Sequence, residues 1–300
     1  MRVSVSIVTH QSANQIDACL AGVRKQGSIV DEVFVVDSGS TDGTIERLRE
    51  RHPYVSLDAV GSNVGYAGGH NRNFLCARGD AFLVLNPDVV LGAGHVATLC
   101  GALDEDPRRG AAGGRLLHAH APERIDSAGI GYDRWYTRFV DRGRGLPASQ
   151  YRRDEDVWGT CGAATLYRSE ALASVSGPEE SPFAERLFMY YEDVDLAWRL
   201  RRAGWQSRFC ADATALHARG GSGASVPFSE YYLVRNRLWV SLRNASRGEL
   251  LRELPGLLGF ELVKAVQALG RPHLRRALFD QCRGIPAALQ ARHRLAKGAV

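Results

Sequence analysis

An α/β fold with a mixed, mostly parallel central sheet flanked by helices is what this sequence predicts, on three observations. Over the first hundred residues, short runs rich in valine and isoleucine alternate with longer helix-like stretches. The links between them are short, and each apolar run ends in small, polar or acidic residues. Such β-α repetition builds parallel strands covered by helices, and in these sheets the chemistry gathers beyond the carboxyl ends of the strands.

Taken in order, residues 3–8 (VSVSIV) read as a strand, 13–25 as a helix, 32–37 as a strand, 44–51 as a helix and 54–60 as a strand. The glycines of residues 63–70 read as a tight turn ahead of a helix over 71–78, followed by a strand over 81–85. A helix near 96–104 comes next. Residues 122–153 form an arginine-rich region with no clear periodicity, and 157–167 (VWGTCGAATLY) an apolar run of small residues. A strong helix begins near Asp193, and residues 229–242 and 249–295 look helical, punctuated by Pro255, Gly270, Pro272 and Pro286. The division expected is one domain over residues 1–245 and a basic amphipathic helical tail over 246–300.

Three hundred residues with 45% hydrophobic and 24% charged content support a large core rather than disorder. The net charge of +5 is unevenly spread, because residues 231–300 hold 13 basic and 4 acidic side chains. That tail implies an anionic partner such as a phospholipid surface or a lipid diphosphate. Nucleic acid is set aside because the charge lies in one terminal segment and no base-stacking module is recognisable. The six cysteines never form C-x-x-C, so reduced thiols in a cytoplasmic protein are expected rather than a disulfide framework or a zinc site. The chain opens directly on a strand pattern with no signal peptide apparent. Its most apolar tail segment, residues 254–269, is interrupted by Pro255, Glu261 and Lys264 and falls short of the ~20 apolar residues of a membrane span.

Two familiar nucleotide folds are excluded. The turn after the first strand, Thr9-His10-Gln11-Ser12, lacks the G-x-G-x-x-G that brings pyrophosphate onto backbone amides, and no P-loop occurs. Instead the succession SIVTHQ, VVDSGSTDGT, NVGYAGGHNR, LVLNPDV, WGTCGAATLYR, MYYEDVDLAWRLRRAGW and ALHARGG resembles family 2 glycosyltransferases of the GT-A fold. Within that family it is most similar to the rhamnosyltransferase-like branch of bacterial surface-polysaccharide assembly. The resemblance covers residues 1–245.

It implies an inverting transferase using a divalent metal, Mg²⁺ or Mn²⁺, to neutralise a departing diphosphate. Asp88, placed after Asn86-Pro87 at the end of an apolar run, needs a partner for its charge and would be one metal ligand; His217 would be the other. Asn86 replaces the first acid of the family's Asp-x-Asp and is left to contact ribose or sugar. Asp37 at the second strand end, with Thr9 at the first, is assigned to the nucleotide, whereas Asp42 reads as a cap of the next helix. Gly68 and Asn71 are assigned to the nucleotide sugar, with a purely structural turn as the competing reading. In Glu192-Asp193-Val194-Asp195, the second acid of the Glu-Asp pair falls on Asp193, the general base, with Glu192 beside it. Arg235 is a candidate for the diphosphate, residues 158–162 for the floor under sugar and acceptor, and the glycine-rich residues 220–225 for a lid. The expected donor is a dTDP- or UDP-sugar, rhamnose favoured, and the acceptor a lipid-linked glycan; the protein would be cytoplasmic, peripheral on the inner membrane face. The alternatives are a sugar nucleotidyltransferase, which would need a basic glycine-rich loop after the first strand, and a non-catalytic glycan- or membrane-binding homologue.

Overall fold

The computed structural model describes residues 1–133, 138–177, 180–219 and 225–297. In chain order its elements are β1 (Val3–Thr9), α1 (Ile16–Arg24), β2 (Val30–Asp37), α2 (Thr44–Arg51), β3 (Ser56–Ala59), α3 (Gly65–Cys76) and β4 (Ala81–Leu85). Then come β5 (Val89–Leu91), α4 (His95–Glu105), β6 (Arg109–His118), β7 (Ala121–Ser127), β8 (Ile130–Asp133), β9 (Arg138–Asp141), β10 (Glu155–Val157), β11 (Ala164–Arg168) and α5 (Ser169–Ser174). The chain closes with α6 (Glu192–Arg202), β12 (Gln206–His217), α7 (Val226–Asn244), α8 (Arg247–Ala268) and α9 (Pro272–Lys297).

Eight strands run in the order β10-β12-β6-β11-β4-β1-β2-β3, with β5 joined to β12 and β7 to β6. The β4-β1-β2-β3 half is wholly parallel, as expected from the β-α repetition. Beyond β4 the sheet turns mixed: β11 runs antiparallel to both β4 and β6, while β12 is parallel to β6. β4 is buried along its whole length, which is why AFLVL carries no polar residue. In the β1–β2 register Thr9 stands opposite Asp37, so two of the predicted strand-end residues are neighbours.

Three sequence expectations need correction. The glycines of 65–69 are the first turns of α3 rather than a turn before it. A Cβ on Gly69 would lie 2.5 Å from the Val8 side chain and one on Gly65 2.6 Å from Phe188, so glycine is required for α3 to lie so close to β1 and to the loop ahead of α6. The arginine-rich region holds strands β7, β8 and β9, whose pairing partners lie elsewhere in the chain or across a hairpin. Pro255 and Pro286 sit inside α8 and α9 and do not end them; among the described residues of the tail the break falls between Ala268 and Pro272, around Gly270. α9 packs against α7, where the Trp239 indole donates to the Gln281 carbonyl at 2.8 Å and a Cβ at Gly284 would overlap the Trp239 ring. The six cysteines are free, as expected.

Candidate active site

The acid that ends the β4 run finds its partner through strand pairing. Immediately after Asp88, β5 pairs antiparallel with the end of β12, matching Val89 to His217, and the Ala218 amide donates to the Asp88 carbonyl at 3.0 Å. This register brings His217 Nε2 to 3.4 Å from Asp88 Oδ1. The opposite ring nitrogen, Nδ1, lies 2.8 Å from Oδ2 of Asp126 on β7. Asp126 is fully buried; its Oδ1 accepts from Arg219, which also donates to Asp141 of β9 at 2.7 Å, and His118 Nδ1 stands 3.5 Å away. The result is a continuous chain of alternating charge, Asp88, His217, Asp126, Arg219, Asp141.

Burial alone would raise the Asp126 carboxyl, but hydrogen bonds from His217 and Arg219 outweigh it and hold the group at about 2. For His217 burial disfavours the charged ring, yet hydrogen bonds to Asp126 and Asp88 push it up to about 9. Asp126 therefore adds stability that is present above the ordinary carboxyl range near 4 and is lost as pH falls through about 2. His217 adds stability that is present below its ordinary value near 6.5 and is lost as pH rises through about 9. Thermal melts in EDTA should show a plateau between about pH 4 and 6.5, with an alkaline decline that His217→Gln abolishes. An alkaline limb of equal size in that variant would refute the assignment.

On the parallel side, Asp37 is fully buried and accepts from Thr9 Oγ1 at 2.8 Å, the Ser40 amide at 2.8 Å and Ser40 Oγ at 2.7 Å. The carboxylate thus fixes the turn of residues 38–40 at the joined ends of β1 and β2. Ser38 Oγ in turn donates to Asn63 at 3.2 Å and accepts from the Val64 amide at 2.8 Å, stitching this turn to the start of α3. Asp42 is not the cap of α2, which is Gly43; it accepts from the Thr44 amide and hydroxyl and from the Ala13 amide at 3.0 Å, tying the start of α2 to the segment before α1. Gly68 is buried in α3 against Val64. Asn71 is buried with its amide used at both ends, donating to the Phe183 carbonyl and Glu185 and accepting from the Phe183 amide. Its place in the structure is that of a tie between α3 and the segment before α6. Asn86 is half-buried, and its backbone amide donates to the Ala163 carbonyl at 2.9 Å.

The acidic cluster at the start of α6 separates into three roles. Asp195 is buried between Arg199, Arg243 and Asn244, each within 2.9 Å, and anchors α6 to α7. Asp193 is half-exposed; its Oδ2 accepts from the Gly162 amide at 3.0 Å and its Oδ1 from the Val194 amide at 2.8 Å. Burial and the Asp141 charge raise its carboxyl despite these bonds. Glu192 is buried, its Oε2 has no hydrogen-bond partner among the described residues, and burial with the adjacent Asp193 charge raises it well above the usual range. Tyr66 of α3 completes the corner by donating to the Gly162 carbonyl at 2.6 Å.

The loop leading into α6 has left-handed backbone at Phe188, Tyr190 and Tyr191 (φ 67°, 64° and 71°), a costly conformation for aromatic residues. α7 holds it in place. Asn236, fully buried, directs its amide nitrogen at the carbonyls of Leu187, Met189 and Tyr190. Arg235 donates to the carbonyls of Arg186 and Leu187 and lies over the rings of Tyr231, Tyr232 and Trp239. Arg235 is thereby committed to the loop that carries Asp193, which corrects its reading as a diphosphate ligand.

Asp88 faces His217, and Asp193 is tied to the neighbouring turn at Gly162. Ala163 accepts from Asn86, two residues before Asp88, while the adjoining Gly162 donates to Asp193. The acid–imidazole pair and the half-exposed carboxylate thus flank one turn, and Asp141 links them from a third side. Missing from the sequence reading were Asp126, Asp141, Tyr66 and Asn236; the motif containing Arg219 was legible, its ion pairs were not. Of the lid reading, residues 220–224 lie outside those described, and Ser225 caps α7 by accepting from the Phe228 amide. Among the described residues no three His, Cys, Asp or Glu side chains are grouped to hold a metal. The pair that exists still suits a hard divalent ion: one carboxylate oxygen and one imidazole nitrogen face each other, and a second carboxylate fixes the ring.

A half-parallel sheet of this topology, with helices on its faces and a helical C-terminal segment, is the GT-A fold of glycosyltransferases. The sequence model described as "Glycosyl transferase family 2" matches residues 4–175, more than half of the chain, and the protein belongs to this family, as a glycosyltransferase. It is 29% identical, over 91% of its own length and 94% of the relative's, to an N-acetylglucosaminyl-diphospho-decaprenol L-rhamnosyltransferase of Mycobacterium tuberculosis. Among solved structures it resembles the mannosyltransferase PcManGT of Pyrobaculum calidifontis, in complex with GDP-Man and Mn²⁺. There the TM-score is 0.57 at 21% identity, covering 99% of this chain and 79% of that one. GalNAc-T7, with UDP, GalNAc and Mn²⁺, gives a TM-score of 0.63 at 13% identity, covering 81% of this chain and 48% of that one.

Proposed function

We propose that the protein transfers a sugar, rhamnose favoured, from a dTDP- or UDP-linked donor to a lipid-linked glycan, with inversion at the anomeric carbon. The observation that carries this reading is the placement of Asp193 and the Asp88–His217 pair on either side of the turn at Gly162-Ala163. The rhamnosyltransferase relative supports the donor and the diphospholipid acceptor. A divalent ion held by Asp88 and His217 would offset charge building on the leaving diphosphate. The turn pinned by Asp37, Thr9 and Ser40 offers hydroxyls and amides beside the nucleotide's place. Asp193 removes the acceptor hydroxyl proton as that oxygen attacks from the side opposite the diphosphate, and its raised carboxyl brings its basicity closer to what proton transfer requires. Glu192, buried beside Asp193 with its carboxyl pushed up by burial and by the Asp193 charge, supports it. The test is purified protein with dTDP-rhamnose, UDP-sugars and GDP-mannose in Mn²⁺, Mg²⁺ or EDTA, reading nucleoside diphosphate release with and without a GlcNAc-diphospholipid. Release from no donor under any condition would reject the reading.

The tail supports a membrane-bound acceptor. Among the described residues no helix is long and apolar enough to cross a membrane. α8, however, turns Leu251, Leu254, Leu258, Leu262, Val266 and Leu269 outward along one face, most of them over half exposed. Lys264 lies on the same helix and Arg275 donates to the Leu269 carbonyl at its end, so the face suits lying in an anionic lipid surface. Because α9 covers Trp239, truncating the tail would also uncover α7 and confound the result. The cleaner prediction is that Leu258→Glu with Leu262→Glu lowers co-sedimentation with phosphatidylglycerol vesicles at least tenfold without lowering the melting temperature. Unchanged sedimentation would remove α8 as the docking face.

A further inference from the structure

A second cavity lies past the carboxyl end of α6. It encloses about 270 Å³ between the β8–β9 hairpin, Trp158, α6 and the first turns of α8. Four aromatic side chains form one continuous wall: Phe139 has its ring 4.8 Å from Tyr132, 4.4 Å from Trp158 and 5.4 Å from Trp198, and the two indoles meet edge to face at 5.8 Å. The rim carries Arg201 and Arg202 opposite Glu249 and Glu253. The Tyr132 hydroxyl is buried beside Glu253; burial, then the hydrogen bond to Glu253 and its charge, push its ionisation up.

This composition selects a ligand class. Aromatic side chains beside forked donors and carboxylate acceptors suit a pyranose, which offers a C–H face and a rim of hydroxyls. Two cations balanced by two anions argue against a diphosphate, and four charges on one rim argue against an isoprenoid tail. The position fits as well. Trp198 follows Asp193 by five residues on the same helix, about 7.5 Å along its axis. Trp158 leads through Gly159, which accepts from the Ile130 amide of the hairpin, to Gly162, whose amide holds Asp193.

We propose that this pocket is a carbohydrate subsite that holds a pyranose ring of the acceptor glycan, next to the sugar whose hydroxyl faces Asp193. The proposal rests on the transferase reading and deepens it. Trp198 and Arg201 belong to α6, whereas Glu249 and Glu253 come from α8 of the tail, so both segments build the pocket.

The test is saturation-transfer NMR of the full chain with N,N′-diacetylchitobiose and methyl α-L-rhamnoside, alongside donor hydrolysis by the wild-type protein. Saturable binding of one sugar is expected, at least tenfold weaker in Trp158→Ala. Glu253→Gln, a rim change that leaves the aromatic wall in place, should weaken it in the same direction. Wild-type protein that hydrolyses donor but binds neither sugar overturns the subsite and leaves the transferase standing. Binding without hydrolysis supports the subsite and counts against the transferase. Binding equally strong in both variants overturns the proposed location.

Discussion

Replacing Asp193 by asparagine is expected to lower turnover by about 10²- to 10⁴-fold, the usual contribution of a positioned general base, with donor affinity close to wild type. The substitution is nearly isosteric, and the amide oxygen can still accept from the Gly162 backbone at the 3.0 Å separation seen here. What it cannot do is take a proton. Asp193→Asn therefore separates proton removal from the architecture that the carboxylate also supports. The checking measurement pairs steady-state transfer rates with calorimetric donor affinity and a melting curve. Wild-type turnover in Asp193→Asn would end the assignment, and a matching loss of donor affinity would show that the side chain shapes the donor site instead.

The second large effect is expected at a residue that contacts neither sugar. Asp126→Asn should weaken Mn²⁺ binding, read by electron paramagnetic resonance in the presence of nucleoside diphosphate, by about 10- to 100-fold, the range for groups that orient a metal ligand. The reason is a count of lone pairs. Each oxygen of Asp126 accepts from a different cation, Oδ2 from His217 and Oδ1 from Arg219. An asparagine keeps one acceptor oxygen and turns an N–H₂ toward the other donor. Either His217 loses the contact that aims Nε2 at Asp88, or Arg219 loses its bond to Asp126 and keeps only its pair with Asp141. Unaltered Mn²⁺ affinity together with an unaltered melting temperature would show that Asp126 does neither.

The parallel half of the fold was readable because its information is local. Valine-rich runs bounded by polar turns place β1, β2 and β4 within a residue or two, and the Glu-Asp pair marks the start of α6 at Glu192. Errors arose where a local signal had two physical causes. Glycine in residues 65–69 was read as backbone freedom in a turn, whereas most of it serves close approach of a helix to Val8 and Phe188. Arg235 was read as a phosphate ligand because guanidinium suits phosphate, yet backbone carbonyls and aromatic rings satisfy it here. Asp126 stood in a stretch without periodicity, since β7 is defined by its partner β6 and not by its own composition.

The sequence by itself determined that this chain is a family 2 glycosyltransferase, because the order of its strand-end motifs is a property of the chain alone. It also supplied Asp88, His217 and Asp193 as the residues to watch. Only the tertiary structure decided how they meet: antiparallel pairing sets Asp88 against a histidine 129 positions further along the chain, and a buried carboxylate from a third strand aims that ring. Contacts between residues so distant in sequence leave no period or composition to read, since each is fixed by the register of strands that pair only once the sheet has formed.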